Sequence, residues 1–245
     1  MFRIVPYKRT SESAKLVAQK MTELSGRRVV SGEASLDHRN ILWGNSSVPL
    51  ENLQPAAAIG IAKNKLSTLD KLKSSNVSIP EYTTSKSVAE DWVRNGIVVV
   101  ARKLLNGSEG RGIVLCRHLP LEDAPLYVKL VEKDKEFRVH VCNGVAIDLQ
   151  EKRRKNGARN PDGTRPDGII RNIDSNWVFC RNNIVEPPGL RVLGITAVQA
   201  LGLLFGAVDV VHNTRNGSLH VLEINTAPGL CDSTATKYAQ AFLNL

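Results

Sequence analysis

Aromatic side chains make up only 5% of the chain, too few for the stacking platform on which single-stranded nucleic acids lay their bases. Cysteine is scarce and scattered. Cys116, Cys142, Cys180 and Cys231 form no C-x-x-C pair, which removes zinc ribbons and redox dithiols and leaves buried free thiols as the expectation. No apolar run approaches the roughly 20 residues that cross a bilayer. The greasiest stretch, Gly202 to Val211, is broken by Asp209 and followed by His212. Met1-Phe2-Arg3-Ile4-Val5-Pro6-Tyr7-Lys8-Arg9 meets charge too early to hold a signal-peptide core. A cytoplasmic protein with no membrane partner is expected.

What is present is an ordinary globular composition. At 245 residues and 42% hydrophobic content, the chain can bury a sizeable core in one compound domain or two small ones. Its net charge of +9 attracts polyanions, whether nucleotide, acidic peptide or nucleic acid. The poverty in aromatics counts against nucleic acid.

Phe2 to Pro6 reads as a strand, Ser11 to Leu24 as an amphipathic helix ended by Gly26, and Arg28 to Val30 as the next strand. Asn64 to Ser75 reads as a helix, and Ser87 with Glu90 forms a capping box for another that runs to about Asn95-Gly96. The β-branched run from Ile97 leads to Lys103 and then to Gly107, Gly110 and Gly112, with the strand pattern resuming at Ile113. Tyr127 to Val131 and Phe137 to Cys142 are strands, and Asn143-Gly144 predicts a type I′ hairpin whose second strand continues through Asp148. Lys152 to Gly168 lacks apolar periodicity and reads as a long mobile basic loop. A helix over Leu190 to Leu203, a strand over Phe205 to Val211, an Asn216-Gly217 turn, a strand over Leu219 to Ile224 and a helix from Ser233 to Phe242 complete the chain.

The chemistry concentrates in the last hairpin. Antiparallel pairing lets Asp209 face Glu223, and alternation puts Asn225 on the face of Glu223. Two carboxylates and an amide oxygen suit hard Mg²⁺, which completes its octahedron with water and phosphate oxygens. Taken alone, the same residues also read as solvated polar positions on an ordinary hairpin. Lys103 before a glycine-rich turn fits a phosphate loop as well as it fits a plain hairpin. Glu136 and Arg138 fit a nucleotide contact or a same-face ion pair. His140 reads as a packed strand histidine.

Four blocks in order resemble the ATP-grasp superfamily of ligases, nearest to the branch of ribosomal-protein glutamate ligases. They are Lys103 to Val114, Tyr127 to Val131 with Glu136 to Val141, Arg171-Asn172, and Phe205 to Val211 with Leu219 to Leu230 through Asn225-Thr226-Ala227-Pro228-Gly229. The resemblance implies an α+β fold in which two α+β subdomains clasp ATP. The boundaries expected are a short α/β pre-grasp segment at 1–62, a lid subdomain at 63–126 and a C-terminal subdomain with the metal site at 127–245. It also implies roles. Asp209, Glu223 and Asn225 would hold Mg²⁺, with Mn²⁺ as an alternative. Lys103, Gly110, Gly112, Lys129, Leu130, Glu136 and Arg138 would contact ATP, and Arg153, Arg171 and Asn172 would stabilise an acyl phosphate. The implied activity is ADP-forming amide synthesis on an amino-acid or peptide substrate, a protein tail included. A phosphotransferase on the same scaffold and a nucleotide-binding regulatory module without turnover are the alternatives.

Overall fold

The computed structural model describes residues 1–48, 53–106, 111–159, 163–164, 168–169, 171 and 176–245. Strand β1 (Phe2–Pro6), helix α1 (Glu12–Ser25) and strands β2 (Val30–Ser31) and β3 (Arg39–Trp43) build a parallel sheet in the order β2-β1-β3. Helix α1 starts where the Ser11 hydroxyl accepts from the Ala14 N–H at 3.4 Å, and it buries Ala14, Val17, Ala18 and Met21. It stops at Gly26, whose φ of 66° suits a residue without Cβ. Strand β3 has no counterpart among the sequence-derived elements. Its Asn40 to Trp43 are all buried, and a strand covered on both faces shows no alternation to read. Helices α2 (Ala56–Lys63) and α3 (Lys65–Ser74) follow, with Asn64 capping the second through the Ser67 N–H at 3.0 Å.

Strand β4 (Tyr82–Thr83), helix α4 (Lys86–Arg94) and strands β5 (Val99–Arg102), β6 (Ile113–Cys116) and β7 (Leu126–Lys129) occupy the expected lid region as an antiparallel sheet in the order β4-β7-β5-β6 with its helix. The cap of α4 is Ser85, which accepts from the Val88 N–H at 3.4 Å, and not Ser87. The two faces of this sheet differ. Val99, Ala101 and Tyr127 pack with Ala89 and Val93 of α4. Leu126, Val128 and Val100 pack with Leu69 of α3. The expected boundary at 126/127 falls inside β7, whose pairing with β5 carries the lid sheet on to Lys129.

The third sheet is antiparallel, in the order β10-β9-β8-β11-β12, from β8 (Lys135–Cys142), β9 (Val145–Arg154), β10 (Trp177–Cys180), β11 (Phe205–His212) and β12 (Leu219–Asn225). Asn143 and Gly144 make the β8–β9 turn with φ of 48° and 73°, the type I′ signature. Strand β9 runs on to Arg154, so Lys152, Arg153 and Arg154 belong to the sheet and not to the basic loop. One face, with Phe137, Val139, Val141, Val208 and Val210, packs on helix α5 (Leu190–Ala200) through Leu190, Ala197 and Val198. Gly194 permits this approach, since a Cβ there would lie 2.9 Å from Val139. At one end of the other face, Phe205, Cys142, and Tyr238 and Phe242 of helix α6 (Asp232–Leu243) join Trp43 and α1 in a second core. The N-terminal sheet thus shares its interior with the C-terminal sheet. No described helix is long and apolar enough to cross a membrane.

Candidate active site

Alternation along β8 puts Glu136, Arg138 and His140 on the face not covered by α5, and register sets Asp209 of β11 beside Arg138. The Arg138 guanidinium donates from Nε to Asp209 Oδ1 at 2.6 Å and from Nη2 to Oδ2 at 2.8 Å. Lys152 of β9 bridges two carboxylates, donating to Glu136 Oε1 at 2.5 Å and to Asp209 Oδ2 at 3.3 Å. Lys133 donates to the other Glu136 oxygen at 2.6 Å. Phe179 of β10 lies against this layer, its ring centre 4.3 Å from the Arg138 guanidinium. Only 3% of the Asp209 side chain and 4% of Glu136 are exposed, so the pairs are screened little by solvent. Burial pushes the Asp209 carboxyl up, but the charges of Arg138 and Lys152 outweigh it and hold the group well below the usual carboxylate range.

Strand β12 supplies the other oxygens. Glu223 is the register partner of Asp209, and Asn225 Nδ2 donates to Glu223 Oε1 at 3.2 Å. The Glu223 carboxylate is 38% exposed, with Lys65 Nζ 3.9 Å away. Arg102, at the end of β5, faces the same carboxylate across the cleft. Burial lowers its pKa and Glu223 opposes the shift, and among the described residues its guanidinium makes no hydrogen bond or ion pair. In type and register, Asp209, Glu223 and Asn225 fit a hard divalent cation. Among the described residues no three His, Cys, Asp or Glu side chains converge, so a cation here depends on the amide and on substrate oxygens. Asp209 is the one donor already saturated, by Arg138 and Lys152.

The other expected site residues divide. Lys103 pairs with Glu122 on the α4 face of the lid, near Cys116 and away from the cleft. Its neighbour Arg102 faces inward instead. Gly112 carries a φ of 72°, and a Cβ there would meet Leu104 Cγ at 2.9 Å. The Lys129 ammonium bonds Glu81 at 2.5 Å and lies over Trp92 of α4, so its side chain also points to the outer face. The Leu130 N–H extends the lid sheet to Val98 O at 2.9 Å. Leu130, Val131, Lys133, Arg171, Asn213 and Arg215 line a cavity of about 340 Å³. Arg171 reaches it by donating to the carbonyls of Lys133 and Asp134, at 3.4 and 3.2 Å, while stacking on Trp177 at 4.4 Å. Arg153 points to the opposite face from Lys152 and binds Glu151 and the carbonyls of Asn182 and Asn183. Gly107, Gly110 and Asn172 lie outside the described residues.

Two further groups depart from expectation or add to it. Buried free thiols describe Cys116 and Cys142, but Cys231 is exposed. It caps α6, and although burial acts against ionisation, bonds from Ser233, Thr234 and Arg181 bring the thiol down to about 6. His140 is fully buried between Tyr238 Oη at 3.1 Å and Gln150 Oε1 at 3.3 Å. Among the described residues it bonds no carboxylate, and it packs as structure. Lys65, Arg102 and Lys133 were not singled out from the sequence. The available signal for Arg102 was its phase with Val100, which says that they share a face but not which face sees the cleft.

No family model matches the sequence, and no curated protein is significantly similar to it. Solved structures are. The ATP-grasp ligase PsnB, complexed with a minimal precursor, superposes with a TM-score of 0.70 at 10% identity, covering 99% of this chain and 98% of that one. PsnB has also been solved with Mg and ADP. A RimK domain ATP-grasp protein from Sphaerobacter thermophilus gives 0.66 at 14% identity, covering 98% of each chain. D-alanine–D-alanine ligase from Bacillus anthracis gives 0.63 at 13% identity, over 99% of this chain and 93% of that one. Helices and three sheets therefore assemble here into the ATP-grasp fold, across essentially the whole chain.

Proposed function

We propose that this chain is an ATP-dependent carboxylate–amine ligase that joins an amino acid or peptide to an amine through an acyl phosphate, releasing ADP. The observation that carries the proposal is the charge of the cleft. Lys65, Arg102, Lys133, Arg138, Lys152 and Arg171 face Glu136, Asp209 and Glu223 in one connected chain. That excess of cations calls for a polyanion, and the oxygen donors of Glu223 and Asn225 beside it suit the divalent ion that accompanies a nucleotide.

The residues divide the work. In the hinge cavity the N–H groups of Val131 and Glu132 donate to nothing among the described residues, which leaves them to the edge of adenine. Arg102 and Lys65 on the lid side, with Lys152 on the sheet side, would hold the phosphates. Asp209, Glu223 and Asn225 would hold Mg²⁺, which when bound offsets phosphate charge. A substrate carboxylate aligned by these cations attacks the γ-phosphorus and ADP leaves. The amine then attacks the acyl carbon and expels phosphate. Arg171, packed on Trp177 in the same hinge cavity as Val131 and Glu132, would contact the nucleotide there and not the acyl phosphate.

The test is a mass-spectrometric screen of amino acids and peptides with Mg-ATP, with hydroxylamine added in parallel. A ligase yields a product short of one water and, with hydroxylamine, a hydroxamate. A stable phosphorylated product without hydroxamate would convert the assignment to phosphotransferase. Absence of any substrate-dependent ADP would leave a nucleotide-binding module.

A further inference from the structure

The Asp209 carboxylate, a metal ligand by register, spends both oxygens on the chain's own cations. We propose that Arg138 and Lys152 are resident counter-cations of Asp209 that make divalent-metal binding conditional on nucleotide. The inference rests on the nucleotide reading above and specifies how that site is regulated.

Burial supplies the argument. Arg138 is only 12% exposed and Asp209 3%, and the Lys152 side chain is likewise 12% exposed. A divalent cation arriving alone must take at least one Asp209 oxygen from Arg138 or Lys152. It then sits beside a buried cation that has lost its partner, the costly half of breaking a buried pair. Lys152 retains Glu136 at 2.5 Å, but Lys133 already holds the other oxygen of that carboxylate. Arg138 makes no second carboxylate bond: the Phe179 face lies beside it, and Glu223 and Glu136 act on it only by charge, Glu223 being a proposed metal ligand itself. A nucleotide removes the penalty, because its phosphates offer oxygens to whichever cation lets go. Nucleotide alone meets no such obstacle, since Arg102 at the end of β5 faces the cleft with no ion pair among the described residues. Metal and nucleotide are therefore positively coupled, with Arg138 and Lys152 as the positioning residues that create the coupling, and each ligand must raise the affinity for the other by the same factor.

The experiment measures free Mn²⁺ by electron paramagnetic resonance while MnCl₂ is titrated into the full chain, with and without saturating ADP. ADP binding without metal is measured by calorimetry. In the wild type, ADP should tighten Mn²⁺ by a factor within about 5–150. Lys152→Met and the charge-retaining Arg138→Lys, each checked by thermal melting, should bind Mn²⁺ alone more tightly and shrink that factor several-fold. Equal Mn²⁺ affinity with and without ADP in the wild type overturns the proposal without any variant. A factor unchanged in both folded variants removes Arg138 and Lys152 as its cause. Failure of ADP to bind under any condition overturns the nucleotide reading itself, and the coupling with it.

Discussion

Ion pairs occur on both the inner face of the five-stranded sheet and the outer face of the lid, and their settings differ. On the lid, Lys103 meets Glu122 and Lys86 meets Asp123 with side chains 39–92% exposed. On the sheet, Arg138 and Lys152 meet Asp209 and Glu136 with no side chain more than 12% exposed. Water and salt screen the first set, so each pair contributes little. The second set has surrendered its hydration, so its worth depends on every partner being present. A lysine or arginine in a strand sequence looks the same in both places. Its energetic and chemical role is decided by the face it occupies.

The largest expected break in this comparison is Asp209→Ala, which leaves Arg138 buried without its carboxylate and should cost about 3–5 kcal/mol in urea unfolding. Glu122→Ala on the lid should cost at most about 1 kcal/mol. Nearly equal losses would show that the inner pairs are solvated in solution. The Asp209 variant should also lose turnover, and its ADP formation must be assayed below its own melting temperature.

Acid should next probe the buried groups of the five-stranded sheet. Burial, reinforced by the Arg138 charge, lowers His140 to about 4, so it is neutral in the folded state and protonates in the unfolded chain near 6.5. Its contribution is complete above pH 6.5 and fades as pH falls toward 4, by about 3 kcal/mol in total. Asp148 follows. Burial raises it, but bonds from Arg181, Lys237 and Thr234 outweigh that and bring it to about 2. Its contribution of about 2 kcal/mol is present above pH 4 and lost as pH falls from there to about 2. Chemical denaturation across this range should show both stages, with His140→Gln removing the upper and Asp148→Asn the lower. A profile unchanged by either substitution would contradict the assignment.

The smallest test is the sharpest, because it contrasts adjacent residues. Arg102→Ala should weaken ATP binding at least about tenfold, the scale of a charge-assisted contact worth 1.5–3 kcal/mol. Lys103→Ala should change it less than about twofold. Calorimetry giving the reverse order would restore Lys103 to the cleft and turn the lid sheet over.

Part of the site was legible because strands alternate and turns mark which strands pair. A side-chain period of two, an Asn143-Gly144 turn and an Asn216-Gly217 turn pair β8 with β9 and β11 with β12, but each hairpin shifts register by one residue at a bulge. Strict pairing counted back from the second turn would set Asp209 against Leu222; the bulge between Asp209 and Val210 brings Glu223 opposite it instead, with Asn225 on the same face. The order of the blocks along the chain likewise carried the fold. Strand β3 escaped because both its faces are buried, and the reach of β9 through Lys152 and Arg154 escaped because charged residues in a strand resemble a loop.

What the amino-acid order determined by itself was therefore which strands pair and how their side chains alternate, local consequences of turn and pleat, but not the bulge that sets Asp209 against Glu223. Which side of each sheet became the cleft was decided only in three dimensions. Helix α4 covers the Val99 and Ala101 face of β5 and carries Lys103 outward with it, which leaves Arg102 to look across at Glu223. The same choice on β9 sends Lys152 inward and Arg153 away. Lys65 reaches the site from a helix start distant from it in sequence, and Lys133 from the hinge three residues before Glu136. Neighbouring residues of a strand point in opposite directions, so a one-residue difference that costs nothing locally becomes, once helices choose their faces, the difference between binding a substrate and facing solvent.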